Sequence, residues 1–444
     1  MRRSVELRRH IWAFRREVAA CKGERYNGES AARNSAGRPR HRRHRVRKGK
    51  VLVRILDKAR GLAKRGQQPS TPIQQDTTAA SVGFTGPRLA RTASELGLPL
   101  SDVVILFACN DFYVPYLSVA LQSIKETASP SRRYDIVILS HDITLYSMRM
   151  LHRQMSAANI GIGFLDVGAA LGEMNLPQHG HFRTQMYYRL LAPELLNNVS
   201  KAVYLDSDLV ILRDIAELYD TDITGKLIAA TQDADTIGQA DGYEPTIRPY
   251  LLDAVGLKSP YDYFQSGVLV MNLELFREKC PSEKLIELSG ERHWQWPDQD
   301  VLNRVCGGDY ARVPMCWNTL MDWQGLRRGH IIAQAPAEVR EAYEEARRAP
   351  AIIHYAGPDD RPWVNPNADM AEFFWAYAAE SPFLGELEKR LRAYRHTAGG
   401  AAKRAQVFAL YRVGMPLFDA VAPSGSKFRK FGVKLYKGVG LNQI

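Results

Sequence analysis

Two aspartates, Asp206 and Asp208, stand two residues apart between two apolar segments, 202–205 and 209–212. In extended backbone, side chains at this spacing project to the same side. Two buried carboxylates side by side cannot both stay charged without a cation. A hard divalent metal supplies that cation and keeps coordination positions open for phosphate oxygens. The pair therefore indicates a nucleoside-diphosphate site, although Asp-x-Asp also occurs as a turn or a helix cap.

A histidine follows another apolar segment far along the chain. His354 directly follows the short apolar stretch 351–353 and precedes a Gly-Pro turn at 357–358. Ligands of open α/β sheets bind at the carboxyl ends of the strands, so both motifs are expected at one edge. Imidazole is a commoner ligand of manganese than of magnesium, so the set favours manganese, with magnesium as the alternative metal. The competing interpretation is a core histidine bonded to a backbone carbonyl.

The elements that must position these residues alternate between strand and helix. Apolar patterns predict strands at 103–108, 136–139 and 160–165, and helices at 116–126 and 143–155. This order predicts an α/β fold with a doubly wound, mostly parallel, Rossmann-like sheet and flanking helices. A nucleotide is expected at the carboxyl edge of that sheet.

Charge and composition divide the chain into three parts. Its 444 residues, 45% of them hydrophobic, suffice for one large core or two small ones. Residues 1–50 hold 17 Lys and Arg against 4 acidic residues, and residues 389–444 hold 12 against 1, so at a net charge of +12 the middle is acidic. We predict a disordered or loosely helical extension and linker at 1–100, a catalytic domain at 101–385 and a basic amphipathic tail at 386–444.

The two basic ends differ in character. The arginine-rich segment 38–45 is typical of a disordered arm or a loose helix, with an anionic surface, RNA or no specific partner as alternatives. The segments 407–412 and 427–437 interleave bases with large apolar residues, a pattern that suits an anionic lipid headgroup layer. The alternative is a helix packed on the domain with a solvated basic face. The stretch 339–348 is expected to be a solvated helix.

Cysteine usage and hydropathy indicate the compartment. The five cysteines lack the spacing of a zinc site, and their odd number does not indicate a disulfide framework. A reducing compartment is the simplest interpretation. Because there is no apolar signal segment and no uninterrupted run of 18 apolar residues, neither secretion nor a membrane span is expected. The predicted location is the cytoplasm, with peripheral attachment to the inner face of the cell membrane through the tail.

Six motifs between residues 103 and 363 occur in one order: FACNDFY (107–113), YYRL (187–190), YLDSD (204–208), YFQSGV (263–268), DQDVLN (298–303) and HYAG (354–357). With them the chain resembles the retaining glycosyltransferases of family 8, which include bacterial lipopolysaccharide galactosyl- and glucosyltransferases and glycogenin. The resemblance implies a fold of the GT-A type. It also implies transfer of glucose or galactose from a UDP-sugar donor to a hydroxyl of a glycan or glycolipid acceptor.

The resemblance assigns the metal and nucleotide ligands by position. Asp206 and Asp208, with His354, would hold a manganese ion that bridges the two phosphates of the donor and stabilises departing UDP. The remaining expected donor contacts are uracil stacking by Tyr113, a uracil hydrogen bond from Asn110, backbone contacts from Ala108, and phosphate or sugar contacts from Arg189. Ser207 and Gly357 are also expected to contact the donor. Two alternatives stay open, since the tyrosine could be a core residue and the arginine could pair with a surface carboxylate.

Four residues are candidates for the sugar pocket: Asp233, Gln265, Asp298 and Gln299. Carboxylates and amides supply the donors and acceptors that sugar hydroxyls need. The resemblance implies that Asp298 holds sugar hydroxyls and that Gln299 lies beneath the anomeric carbon. Because an amide is a feeble nucleophile, a front-face retaining reaction is expected, with double displacement through Gln299 or a nearby carboxylate as the alternative.

The chain departs from the family pattern at three places. Gln265 stands where the family usually has Asn, and Asn110 where it often has Asp. In the family, a glycine is followed after two residues by Lys-Pro-Trp. Here one more residue stands between Gly357 and the corresponding sequence, in which Arg361 replaces the lysine. Arg361 can still hold a phosphate, bidentately if the loop allows. We expect Gly267 to permit close approach of backbone to ligand.

Two other classes of function are alternatives to transfer. In one, the fold binds a sugar nucleotide without catalysing its transfer. In the other, the basic arm at 1–50 binds nucleic acid. The arm lacks the interleaved aromatic residues of stacking platforms, so nucleic acid is not an expected partner.

Overall fold

The computed structural model describes residues 87–168, 184–357 and 360–396, with side chains to 393. The arginine-rich segment and the two segments expected at a lipid surface therefore lie outside the described residues. Among the described residues, none of the helices combines the length and the apolar character needed to cross a bilayer.

Within the described part, the main sheet has eight strands in the order β1-β4-β3-β2-β5-β8-β7-β9. The neighbours from β1 to β5 are parallel, β8 runs antiparallel to both β5 and β7, and β9 is parallel to β7. The strands are β1 Leu89–Ala90, β2 Val103–Ala108, β3 Tyr134–Ser140, β4 Ile160–Asp166, β5 Lys201–Leu205, β7 Ile228–Gln232, β8 Phe264–Asn272 and β9 Ala311–Arg312. The predicted mostly parallel α/β sheet is confirmed.

Helices cover both faces of this sheet. The α-helices are α1 Val114–Thr127, α2 Leu145–Gln154, α3 Tyr188–Leu195, α4 Ala216–Tyr219, α5 Ala234–Gly238, α6 Ile247–Pro249, α7 Leu273–Lys279, α8 Ser282–Gly290, α9 Pro297–Cys306, α10 Ala337–Arg348, α11 Ala371–Ala378 and α12 Leu384–His396. In β2, Val104 and Leu106 belong to one apolar cluster, while Val103, Ile105 and Phe107 belong to the other. Burial on both faces explains why this strand reads as a continuous apolar run.

A small second sheet lies beside the carboxyl end of β5. Its described strands are β6 Leu209–Ile211, β10 Thr319–Leu320 and β11 Ile352–His354, in the order β10-β11-β6. His354 pairs with Leu209 across the antiparallel β6 and β11, and the N–H of Tyr355 donates to the carbonyl of Asp208 at 3.0 Å. This register brings the distant histidine to the aspartate pair.

The structure differs from the sequence expectations at both predicted domain boundaries. β1 belongs to the main sheet although it falls in the stretch expected to be linker, and α12 runs across the boundary placed at 385/386. Two-residue strands carry no readable periodicity, and the pattern of α12 merges into the basic tail. The helix expected to be solvated, α10, is also more buried than predicted, since Val339, Tyr343 and Ala346 pack into an apolar cluster.

Candidate active site

Asp206, Asp208 and His354 meet where β5 ends and β6 begins. His354 Nε2 lies 3.3 Å from Asp208 Oδ1 and 3.7 Å from Asp206 Oδ2, and one ligand atom from each of the three residues lies within 4.8 Å of the others. Metal–ligand bonds of about 2.0 to 2.2 Å hold neighbouring donor atoms roughly 3 to 4 Å apart. The three side chains therefore fit a single divalent cation.

Asp206 is held so that one carboxylate oxygen is left for such an ion. Its Oδ1 accepts hydrogen bonds from Arg189 at 2.7 Å and from the Tyr204 hydroxyl at 3.0 Å. Its backbone N–H donates to the Gly267 carbonyl at 2.9 Å. The other oxygen, Oδ2, faces His354. Two donors on one oxygen orient the carboxylate for a single metal bond.

Gly267 is required by the closeness of these groups. A Cβ built there would overlap the His354 ring and lie 2.7 Å from Asp206 Oδ2. The groups that approach this glycine are the side chains of the candidate metal site. Close approach of a ligand to this backbone stays a prediction.

His354 is held from its other ring nitrogen. Its Nδ1 lies 2.9 Å from Asn318 Oδ1, and Asn318 Nδ2 donates to Gln265 Oε1 at 2.6 Å. The same Gln265 oxygen accepts the Gly267 N–H at 2.6 Å. The amide oxygen of Gln265 is thus engaged beside the candidate metal site, while sugar contact by this residue stays a prediction.

Asp208 lies beside two basic side chains, those of His354 and Arg361. Burial alone raises the pKa of its carboxyl, but the imidazole of His354 and the guanidinium of Arg361 outweigh it and hold the pKa at about 2. Arg361 Nη2 lies 4.0 Å from Asp208 Oδ2, and its Nη1 donates to the Tyr113 hydroxyl at 3.2 Å. Its Nε is buried without a hydrogen-bond partner among the described residues. Despite the extra residue in its loop, Arg361 therefore reaches the site.

The residues expected to contact uracil lie at and just after the end of β2, next to the turn that carries Ser207. The Ser207 hydroxyl donates to the Ala108 carbonyl at 3.0 Å. Asn110 caps the short 3₁₀ helix Asp111–Tyr113, because its Oδ1 accepts the Tyr113 N–H at 3.0 Å. The structure thus brings β2 and the Asp-Ser-Asp turn together, while uracil contact stays a prediction.

Three of the four candidate sugar residues, Asp233, Asp298 and Gln299, form a buried cluster near the start of α9. Gln299 Oε1 accepts from the Ser266 N–H at 2.9 Å and from its hydroxyl at 3.2 Å, and Gln299 Nε2 donates to Asp233 Oδ2 at 3.0 Å. Asp298 Oδ2 accepts from the Ser266 hydroxyl at 3.1 Å. Burial raises the pKa of both carboxyls, that of Asp298 and that of Asp233.

Arg189 joins this cluster to the metal site. Its guanidinium lies 2.7 Å from Asp206 Oδ1 and 3.2 Å from Asp298 Oδ2, and it donates to the Ser266 carbonyl at 2.6 Å. The residue is only 4% exposed, and its guanidinium lies 4.3 Å from the centre of the Tyr204 ring. Arg189 therefore pairs with two carboxylates of the site, and not with a surface carboxylate, the alternative left open by the sequence. Its contact with donor phosphates stays a prediction.

Gly357 follows β11 in a conformation that favours glycine. Its φ is 147°, and a Cβ there would overlap the indole of Trp323. The indole donates to the neighbouring Ala356 carbonyl at 3.2 Å. The glycine therefore allows the chain to turn tightly after His354; donor contact at this position stays a prediction.

Two functional partners were missed by the sequence reasoning. Ser266, inside the YFQSGV motif, received no role, although its hydroxyl connects Asp298 and Gln299. Asn318 ends the 3₁₀ helix Met315–Asn318, a segment without a motif. The position of Ser266 between two assigned residues was a usable signal, whereas nothing near Asn318 in sequence indicated its contact.

Comparison with known proteins identifies the family. The profile described as Glycosyl transferase family 8 matches residues 104–366, so the chain belongs to this family, as its motifs predicted, and is a glycosyltransferase. A putative glycosyltransferase of Haemophilus influenzae is 28% identical over 260 residues, which are 57% of this chain and 71% of the relative. The lipopolysaccharide 1,2-glucosyltransferase of Escherichia coli is 27% identical over 182 residues, 40% of this chain and 48% of the relative.

Solved structures of similar fold support the predicted GT-A architecture. An active-site mutant of LgtC aligns with a TM-score of 0.51 at 24% identity and covers 63% of this chain and 96% of its own. The bifunctional glycosyltransferase WbbM aligns with a TM-score of 0.58 at 24% identity, over 70% of this chain and 53% of that chain. At this identity the likeness concerns the fold alone.

Proposed function

We propose that the protein transfers glucose or galactose from a UDP-sugar to a hydroxyl of a glycan acceptor, with retention of the anomeric configuration and dependence on a divalent metal. The observation that carries this proposal is the convergence of Asp206 Oδ2, Asp208 Oδ1 and His354 Nε2 at the carboxyl edge of a parallel sheet. Membership of glycosyl transferase family 8 supports it.

Manganese is the metal that this donor set favours, since one imidazole accompanies two carboxylates. Asp206, Asp208 and His354 would hold it, and when bound it would supply positive charge that stabilises the phosphates of the departing UDP. Arg361 supplies further positive charge. Its Nε has no hydrogen-bond partner within the described part of the chain, and its guanidinium lies between Asp208 and Tyr113, so it is able to bind a phosphate oxygen. Magnesium is the alternative metal.

The donor would lie between the two groups of residues. Ala108, Asn110 and Tyr113 bind the uracil at the end of β2, next to the turn that carries Ser207. Across the site, Asp298, Gln299 and Asp233 bind sugar hydroxyls at the start of α9. The unbroken chain of contacts from Asp206 through Arg189 to Asp298 fixes the distance between the phosphate and sugar ends.

A front-face reaction suits the environment of Gln299. Its oxygen already accepts two hydrogen bonds from Ser266, and its nitrogen donates to Asp233. An amide oxygen engaged in this way is a poor nucleophile, so the residue would shield and orient the anomeric centre. As the bond between the anomeric carbon and the phosphate oxygen breaks, that oxygen takes the proton of the acceptor hydroxyl, and the acceptor oxygen bonds to the anomeric carbon. Double displacement through Gln299 or a nearby carboxylate is the alternative mechanism.

The acceptor is proposed to be lipopolysaccharide or another glycolipid or glycan. One similar protein is named as a lipopolysaccharide glucosyltransferase, and the basic, aromatic tail would hold the enzyme at an anionic membrane surface from the cytoplasmic side. Vesicle binding by the full chain, compared with a chain that ends at residue 396, tests the membrane part of the proposal.

A UDP-release assay tests the reaction itself. UDP-glucose and UDP-galactose are supplied separately, each with manganese, with magnesium and with chelator. We expect release from one of the two donors with manganese, none in chelator, and none from an Asp208→Asn variant, whereas the exposed Asp253 changed to Asn serves as a matched control with normal release. Donor binding without release by the wild type would favour the sugar-nucleotide-binding alternative and overturn the proposed activity.

A further inference from the structure

Three side chains connect a backbone N–H to the candidate metal site. Gly267 N–H donates to Gln265 Oε1, Asn318 Nδ2 lies 2.6 Å from that oxygen, and Asn318 Oδ1 lies 2.9 Å from His354 Nδ1. Asn318 is 4% exposed and His354 is 2% exposed, so bulk water does not compete for these bonds.

The direction of every hydrogen bond in this chain follows from its first member. A backbone N–H can only donate, so the atom of Gln265 that meets it is the amide oxygen. An oxygen accepts, so the atom of Asn318 that meets Gln265 is the amide nitrogen. The remaining Asn318 atom is then its oxygen, and the His354 Nδ1 beside it must carry a hydrogen.

We propose that Asn318 is a positioning residue that holds His354 in the tautomer with its proton on Nδ1, so that the Nε2 lone pair faces Asp206 and Asp208. The inference rests on the proposed metal-dependent function, for which Nε2 has to be a ligand atom. A hydrogen bond at the second ring nitrogen commonly orients metal-binding histidines. Here the orientation begins at the main chain of β8.

The opposite arrangement has a different chemical consequence. A neutral ring with its proton on Nε2 would donate to Asp208, 3.3 Å away, and could not bind a cation. Its Nδ1 lone pair would also face the Asn318 oxygen, so two acceptors would meet at 2.9 Å. The tautomer is therefore an observable that separates a cation site from a simple His–Asp pair.

The first test measures the tautomer without metal, donor or acceptor. Full-length protein labelled with ¹⁵N-histidine is examined in chelator at pH 8 by long-range ¹H–¹⁵N correlation, and the signal of His354 is identified by its absence in a His354→Gln variant. We expect an unprotonated Nε2 and a protonated Nδ1. A proton on Nε2 would overturn the proposal. Because no transfer is measured, this result is independent of whether the proposed activity is correct.

The second test measures manganese binding alone, by titration calorimetry of the full chain. Asn318→Ala is expected to weaken binding by about 10- to 100-fold, the usual effect of losing such a partner, and to give mixed tautomers in the spectra. Asn318→Asp keeps an acceptor beside Nδ1 but replaces the donor to Gln265 with a second oxygen, so it is expected to retain the wild-type tautomer and to lose the bond to Gln265. Unchanged manganese affinity and tautomer in Asn318→Ala would refute the role of Asn318.

A matched control separates this role from a general loss of packing. The Asn159 amide donates to two backbone carbonyls, those of Ser129 and Arg132, at 2.9 and 3.1 Å, and makes no contact with the site. Asn159→Ala should leave manganese affinity and the His354 tautomer unchanged. If Asn159→Ala weakened manganese binding as much as Asn318→Ala, the specific role of Asn318 would be disproved.

Discussion

Replacing Arg189 with methionine is expected to destabilise the fold by about 3 to 5 kcal/mol at pH 7, because it leaves buried carboxylates without their counter-charge. The guanidinium lies 2.7 Å from Asp206 and 3.2 Å from Asp298. Methionine retains the volume of the side chain and removes its charge and hydrogen bonds. Asp298 is affected most, since it is only 2% exposed.

The loss of folding free energy can be calculated for Asp298. Without Arg189 this carboxyl keeps the neutral Ser266 hydroxyl as a partner, and it would take up a proton in the folded state. Protonation at pH 7 of a group with an ordinary pKa of about 3.9 costs roughly 4 kcal/mol, at 1.36 kcal/mol for each pH unit. At pH 5 the same cost is only about 1.5 kcal/mol. Because the folded pKa of the carboxyl is raised, stability is lost as pH rises, so the deficit of the variant is larger at pH 7 than at pH 5.

Arg132→Met is the matched control. Arg132 also pairs with two aspartates, Asp102 at 2.7 Å and Asp220 at 2.9 Å, but its side chain is 29% exposed. Exposed pairs contribute about 0 to 1 kcal/mol each, so this variant should lose about 2 kcal/mol or less. Urea unfolding of both variants in chelator at pH 5 and pH 7 gives the comparison. Equal losses in the two variants, or a deficit in Arg189→Met that does not change with pH, would refute the reasoning.

Two further predictions concern other parts of the site and the core. Gly267→Ala is expected to weaken manganese binding by about tenfold or more without unfolding the protein, because the added methyl would overlap His354 and crowd Asp206. Calorimetry measures the binding and circular dichroism the fold. Unchanged binding would contradict the geometry. Burial outweighs two tyrosine hydrogen bonds and raises the pKa of Asp300 to about 6, so this carboxyl lowers stability by up to about 3 kcal/mol as pH rises from 4 to above 6. Asp300→Asn should remove that part of the pH dependence of urea unfolding, and an unchanged pH dependence would count against it.

The sequence carried enough information to single out the three candidate metal ligands, but not the reason why they meet. Asp206 and Asp208 follow β5 of the main sheet, where the rule for doubly wound sheets places ligands. His354 ends β11 of the small sheet, and the antiparallel pairing of β6 with β11 brings it to the aspartates. The limits of β2 were predicted residue for residue, since a strand buried on both faces is a continuous apolar run.

The contacts among site residues could not be predicted in the same way. Asn318 and His354 are 36 residues apart, and they meet only because the short strands β10 and β11 pair in one particular register. The role of Arg189 depends on how α3 packs beside the ends of β5 and β8. Neither the pairing of two-residue strands nor the packing of a short helix has a periodic signal, so sequence reasoning gave residue types without partners.

The central claim is that one cation is bound jointly by Asp206, Asp208 and His354. Anomalous diffraction at the manganese absorption edge, from crystals grown with manganese and UDP, tests it most directly. We expect a single strong peak at about 2.0 to 2.3 Å from Asp206 Oδ2, Asp208 Oδ1 and His354 Nε2. A peak bound elsewhere in an active protein, or none between these three atoms, would show that these residues do not bind the cation.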